Sequence, residues 1–187
     1  MDFMLKICFF CCFSTKNDME RQSICVLIFY SKGGKKMTNE YIINSMTLML
    51  KYIDETKTLV YEDDREIIVD LNIFDIVSGS CYFYGSTYSG RILYSKSVLK
   101  TNIKVPIFID YLNDIILFPT KSYKNKDCIW IIYNNVKKFE KYKYGSKICF
   151  KNNKEFFTPT SYEIIDRQIY NCLRLEKENR FKKNISF

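Results

Sequence analysis

Histidine and alanine are absent from this 187-residue chain, and proline (3), glycine (6) and tryptophan (1) are scarce. Without histidine, a cysteine nucleophile lacks its usual base and a Cys/His zinc site cannot be built. The few prolines and glycines argue against long disordered tracts. No apolar run reaches the ~20 residues of a membrane span, so no membrane partner is expected. There is also no glycine-rich phosphate loop and no spaced carboxylate pair, since Glu62-Asp63-Asp64 reads as a polar turn. Catalysis, a metal site and a cofactor are therefore not expected.

What is present is enough for one sizeable core: 47% of the residues are hydrophobic and 17% aromatic. The eight cysteines do not form a framework. Cys8, Cys11, Cys12 and Cys25 crowd the first 25 residues, whereas Cys81, Cys128, Cys149 and Cys172 are singletons in apolar surroundings. Cys8 and Cys11 have no second pair to complete a zinc site, and reduced thiols in a cytoplasmic protein are the natural reading.

The formal charge is +8. Abundant Lys, Asn, Ile, Tyr and Phe with no Ala is the signature of A/T-rich codons, which raise lysine regardless of function. Distribution says more than the total. Residues 37–90 hold three basic side chains (Lys51, Lys57, Arg65) against nine acidic ones, and residues 91–187 hold twenty basic against nine acidic. A solvated surface with codon-driven lysines and a basic face turned toward phosphates both fit that polarity.

Residues 1–36 differ in character, with two short apolar runs followed by Ser31-Lys32-Gly33-Gly34-Lys35-Lys36-Met37. Lys-Gly-Gly can be encoded by AAAGGAGGN, which contains the purine-rich signal that recruits a bacterial ribosome, and it stands two codons before Met37. Translation is therefore expected to start at Met37, with 1–36 an upstream in-frame extension and 37–187 a single domain.

From there the pattern implies a strand over 41–51 and a hairpin over 58–70. A short helix follows over 72–84, with Asn72 as N-cap. A second hairpin spans 105–118, stopped by Pro119. Residues 128–139 form a strand pair or one bent strand, and 147–150 pairs with 155–158 across Asn152-Asn153. Thr160 and Glu163 suggest a capping box opening an amphipathic helix whose apolar face is Tyr162, Ile165, Ile169, Cys172 and Leu173. The fold class is α+β, with mostly antiparallel β hairpins, a short central helix and a C-terminal amphipathic helix.

The densest stretch is Ser80-Cys81-Tyr82-Phe83-Tyr84-Gly85-Ser86-Thr87-Tyr88-Ser89-Gly90-Arg91. By itself it reads as a glycine-punctuated turn with core aromatics, or as a turn offering Arg91 to phosphate or a groove. It resembles the ComK family of competence transcription factors. The likeness continues in order through Pro106-Ile107 and Asp110, then Ile116 to Thr120 with Pro119. It goes on through Trp130 with Val136-Lys137-Lys138-Phe139, and Ser161-Tyr162 to Tyr170, spanning about Ile73 to Phe181. Family members tend to carry basic residues where Tyr82 and Ile92 stand here, and longer relatives extend past the point where this chain stops at Phe187.

The resemblance implies a sequence-specific, cytoplasmic transcriptional activator that binds AT-rich double-stranded DNA boxes through the minor groove and self-associates on them. RNA polymerase and a proteolytic adaptor are the protein partners it suggests. A relative that keeps the fold as a protein-binding regulator without strong DNA affinity is the alternative. Cys81, Phe83, Gly85, Ser86, Tyr88, Gly90, Pro119 and Trp130 are expected to hold the fold. Arg91, Lys96 and Lys100, at helix-like spacing, are the first DNA-contact candidates, followed by Lys137, Lys138, Arg167 and Arg174.

Overall fold

The computed structural model describes residues 29–30 and 36–185. Apart from Phe29, Tyr30 and Lys36, the stretch 1–36 expected to precede the domain lies outside the described residues. Two short strands, β1 (Phe29–Tyr30) and β2 (Lys36–Thr38), come first. They are followed by β3 (Thr47–Asp54), β4 (Lys57–Glu62) and β5 (Glu66–Val69). β4 and β5 alternate between half-buried and buried side chains, with Thr58, Val60, Ile67 and Val69 turned inward, as a half-covered hairpin requires.

The strand expected over 41–51 begins only at Thr47. Asn44 Oδ1 accepts the Met46 amide at 2.9 Å, and the Thr47 amide donates to Asn44 O at 3.1 Å, a local turn that competes with strand pairing. Glu62 is not part of a solvated turn. Its buried carboxylate accepts from Tyr41 Oη at 2.8 Å and from Arg65 Nε at 2.6 Å, leaving Asp63 and Asp64 to make the bend.

α1 (Ile73–Phe83) starts at Asn72, whose side chain accepts the Asp75 amide. It ends in a Schellman motif: the Gly85 amide donates to Tyr82 O and the Ser86 amide to Cys81 O, with Gly85 at φ +75°. A second helix, α2 (Tyr88–Leu99), then runs from its N-cap Thr87 to Lys100, which adopts a left-handed φ of 54°.

β6 (Ile107–Asp110), β7 (Ile115–Pro119) and β8 (Ile129–Ile132) are buried along their whole length. The strand order is β1-β2-β5-β4-β3-β8-β7-β6, antiparallel except for β2 beside β5. Alternate residues serve opposite faces. Ile107, Ile109, Leu117, Trp130 and Ile132 pack with Ile76, Val77 and Cys81 of α1. Phe108, Ile116, Phe118, Ile129 and Ile131 pack with Ile148, Phe150, Ile165, Cys172 and Leu175 on the other side. Pro119 does not stop the ladder. It is the last residue of β7, pairs with Trp130, and its carbonyl accepts from Gln168 Nε2 at 2.9 Å.

A 3-10 turn at Tyr133–Asn135 separates β8 from β9 (Val136–Tyr142), so residues 128–139 are two strands in different sheets. β9, β10 (Gly145–Phe150) and β11 (Glu155–Thr158) form a three-stranded sheet, with β10 and β11 paired antiparallel as expected across a turn in which Asn153 has φ 66°, Lys147 standing opposite Phe157.

α3 (Tyr162–Ile185) closes the second core. Its first amides, from Ile164 and Ile165, donate to Ser161 O, so Ser161 caps the helix in place of Thr160. The Thr160 hydroxyl instead pairs with Thr158 Oγ1 at 3.1 Å. The buried stripe is Ile165, Gln168, Cys172, Leu175 and Asn179, and Leu173 is 47% exposed. The shift has a cause: Gln168 donates to Lys104 O and Pro119 O, and Asn179 to Tyr111 O and Asp114 Oδ1. Two polar residues therefore take inward positions because they satisfy acceptors in and beside the ends of β6 and β7.

Candidate nucleic-acid interface

The stretch from Cys81 to Arg91 is the junction between α1 and α2, and most of it holds the fold. Cys81 is fully buried, and burial pushes its thiol up to about 11. Tyr88 meets the Phe74 ring edge-on at 5.1 Å, and burial raises its phenol to about 12. The Gly90 amide donates to Thr87 Oγ1, and a Cβ at Gly90 would lie 3.2 Å from that oxygen. Trp130 sits in the first core. Phe83 is not a core aromatic. It is 65% exposed and its neighbour Tyr82 79%, at the open end of α1.

Arg91 is turned inward. It is 3% exposed, its Nη2 donates to Tyr84 O at 2.9 Å, and its guanidinium carbon lies 4.1 Å from the centre of the Tyr111 ring. This places the first DNA-contact candidate in the α1–α2 packing, with no face left for a phosphate. Of its two companions on α2, Lys96 is half-buried and Lys100 is exposed at the helix end.

The second set of candidates divides between two elements. Arg167 and Arg174 lie two turns apart on α3, hence on one face. Arg167 is exposed. Arg174 donates to Val98 O and Leu99 O, tying α3 to the C-terminal end of α2, where carbonyls are otherwise unpaired. Between the two helices opens a groove of about 500 Å³ lined by Val98, Tyr170, Arg174, Lys177, Glu178 and Phe181. Tyr170, Lys177 and Phe181 are further candidates, which line the groove and which the sequence motifs do not single out as DNA contacts. Their signal was the 3-4-3-4 spacing of 167, 170, 174, 177 and 181, which sets cations and aromatics along one outer stripe.

Lys137 and Lys138 are exposed on β9 and do not line that groove. Lys137 Nζ donates to Asn153 Oδ1 at 3.0 Å. β9 is an edge of the small sheet, where lysines also block pairing with another chain. Its outer neighbours are neutralised: Lys147 bridges Glu140 at 2.6 Å and Glu155 at 3.2 Å, and Lys141 pairs with Glu163 at 2.8 Å. The Lys141 contact is the main cause that holds the Glu163 carboxyl down at about 2.

Within the large sheet the charge division along the chain is also a division in space, while the small sheet of the basic segment meets the acidic β4–β5 turn through Asn152 and Lys154. The acidic segment supplies β2 to β5 and α1, and the basic segment supplies β6 to β8, α2, α3 and the small sheet. Among the described residues no group of three or more metal-ligating side chains occurs, and no helix is long and apolar enough to cross a membrane.

Residues 38–183 match the family model described as ComK protein. The chain belongs to the ComK family. It is 33% identical over 129 residues to the competence transcription factor of Bacillus subtilis (strain 168), covering 67% of this chain and 67% of that protein. No solved structure matches the chain. The ComK match contains every candidate DNA-contact residue named above, together with the Schellman turn at Gly85 and the outer stripe of α3.

Proposed function

We propose that this chain is a DNA-binding activator of competence genes that works in the cytoplasm, reads AT-rich boxes through the minor groove and self-associates on paired boxes. The observation that carries the reading is the outer stripe of α3, where Arg167, Arg174 and Lys177 alternate with Tyr170 and Phe181 in a chain of the ComK family. Cations two turns apart on one helix face suit a row of phosphates, and counterion release from them drives association. A-tracts narrow the minor groove and deepen its negative potential, which favours a basic protein. RNA polymerase is the partner that activation requires.

Anisotropy of labelled duplexes tests this. The expected result is tighter binding to an AT-box duplex than to a GC-rich one, competition by a minor-groove ligand such as netropsin, and a steep loss of affinity with salt. Equal or no binding to the two duplexes would favour the second reading, a regulator that acts through protein contacts. That reading draws on Tyr82 and Ile92, which stand where relatives tend to carry cations; Tyr82 is exposed beside Phe83 at the end of α1.

A further inference from the structure

An α-helix is roughly 10–12 Å across with its side chains. The minor groove of B-DNA is about 6 Å wide. The α3 stripe can therefore lie along the phosphates, but it cannot enter the groove whose width and floor are to be read. A thinner element is needed, and hairpin turns are the thin elements of this fold.

The turns differ sharply in chemistry. The β3–β4 turn carries Asp54 and Glu55, the β4–β5 turn Asp63 and Asp64, and the β6–β7 turn lies between Asp110 and Asp114. The β10–β11 turn has no aromatic residue, and its Asn152 is tied to Asp63. The β7–β8 connection sets Lys124 over Tyr123 but includes Asp127, paired with Lys121. The β9–β10 turn, Tyr142-Lys143-Tyr144-Gly145, alone among these has a cation and aromatics with no acidic residue.

Its base is fixed. A Cβ on Gly145 would fall 2.0 Å from Thr158 O and 2.9 Å from Pro159 Cα, so β10 enters the sheet in backbone contact with β11. Ser146 Oγ donates to Thr160 O at 2.8 Å, and the Tyr142 ring sits 4.6 Å from that of Phe157. At the tip Lys143 takes a left-handed φ of 47°, and its ammonium lies 5.3 Å from the Tyr142 ring. Tyr144 is 100% exposed. Folding gives no reason for an aromatic residue in full contact with water, at the end of an anchored turn, beside a cation with no acidic partner among the described residues.

We infer that the β9–β10 turn is the element that enters the DNA minor groove, a reading that rests on the DNA-binding function proposed above. Lys143 enters the narrow, negative groove of an AT tract, and Tyr144 wedges against a base step. Pyrimidine–purine steps unstack most easily, so a TA step is the favoured target.

The test uses the full chain, an AT-box duplex with 2-aminopurine at its central TA step, and a GC-rich duplex. Wild type is expected to raise the 2-aminopurine emission on binding. Tyr144→Ala and Lys143→Ala should each weaken AT-box binding about tenfold, leave GC-rich binding within about twofold and keep the wild-type melting temperature. Tyr144→Ala should also abolish the emission change. Lys177→Ala, on the helix stripe, should weaken both duplexes alike. If Tyr144→Ala keeps both the AT preference and the emission change, another element reads the groove and the inference fails while DNA binding stands. If wild type binds neither duplex, the DNA reading fails and this inference with it.

Discussion

The guanidinium of Arg91 stacks over Tyr111, 4.1 Å from its ring centre, while its Nη2 holds Tyr84 O at 2.9 Å. One side chain thus joins the α1–α2 turn to the loop between β6 and β7. Arg91→Ala should remove that clamp, leave the half-buried Tyr84 carbonyl without its partner and cost roughly 2–3 kcal/mol. Urea unfolding should show the loss, while DNA affinity, measured at low temperature on the folded fraction, stays within about twofold of wild type. Lost affinity at unchanged stability would return Arg91 to the DNA surface.

Two glycines outside the α1–α2 junction should respond in opposite directions. Gly145→Ala forces a Cβ onto backbone atoms of Thr158 and Pro159 and should cost on the order of 2–4 kcal/mol, because backbone cannot yield as a flexible side chain can. Gly79 lies inside α1 with nothing within 4 Å of its added Cβ. Gly79→Ala should gain up to about 1 kcal/mol from helix propensity. Thermal melts of the two variants beside wild type check both signs.

The hairpins over 58–70, 105–118 and 147–158 were legible because alternation and turn residues act locally, and Asn72 marked its helix for the same reason. α2 was hidden because its buried stripe is Arg91, Ser95 and Leu99, two of them polar, while Leu93 faces water. Apolar periodicity cannot find a helix whose inner face carries Ser95 and an Arg91 that is stacked on Tyr111 and bonded to Tyr84 O. The same physics moved the inner stripe of α3 onto Gln168 and Asn179. The pairing of β3 with β8, and of β2 with β5, joins segments far apart in sequence and leaves no local trace. For the site, the sequence brought forward Arg91 through its motif, but burial depends on where Tyr111 and Tyr84 arrive. Lys177, Tyr170 and Phe181 showed only as helical spacing, which takes on meaning once α2 lies alongside.

The thiols of Cys81, Cys128, Cys149 and Cys172 are all pushed above the ordinary range, chiefly by burial, with Cys81 at about 11. At pH 8 a thiol of that pKa is only about one-thousandth thiolate, the form that reacts. Iodoacetamide followed by peptide mapping should leave Cys81 and Cys172 unmodified in the native protein and label them once urea unfolds it. The stability sign follows: above about pH 9 the unfolded chain releases thiol protons that the native state keeps, so stability should fall as pH rises.

Arg167 and Arg174 share a face of α3 but differ in what else they hold, which allows charge and structure to be separated. Arg174 donates to two carbonyls at the end of α2 and loses both bonds in Arg174→Ala, so stability should drop by about 1–2 kcal/mol together with DNA affinity. Arg167 makes no ion pair with the described residues and is exposed, so Arg167→Ala should leave the melting temperature unchanged and weaken binding to AT-rich and GC-rich duplexes alike. The slope of log affinity against log salt should fall by about 0.9 for each phosphate contact removed. Arg174→Lys keeps the charge but not the planar fork that reaches both carbonyls. It should therefore retain the wild-type salt slope while showing most of the stability loss of Arg174→Ala, about 1–2 kcal/mol. If Arg174→Lys instead flattens the slope as fully as Arg174→Ala, the α3 stripe binds phosphate through the fork itself, and its bonds to α2 must open when DNA arrives.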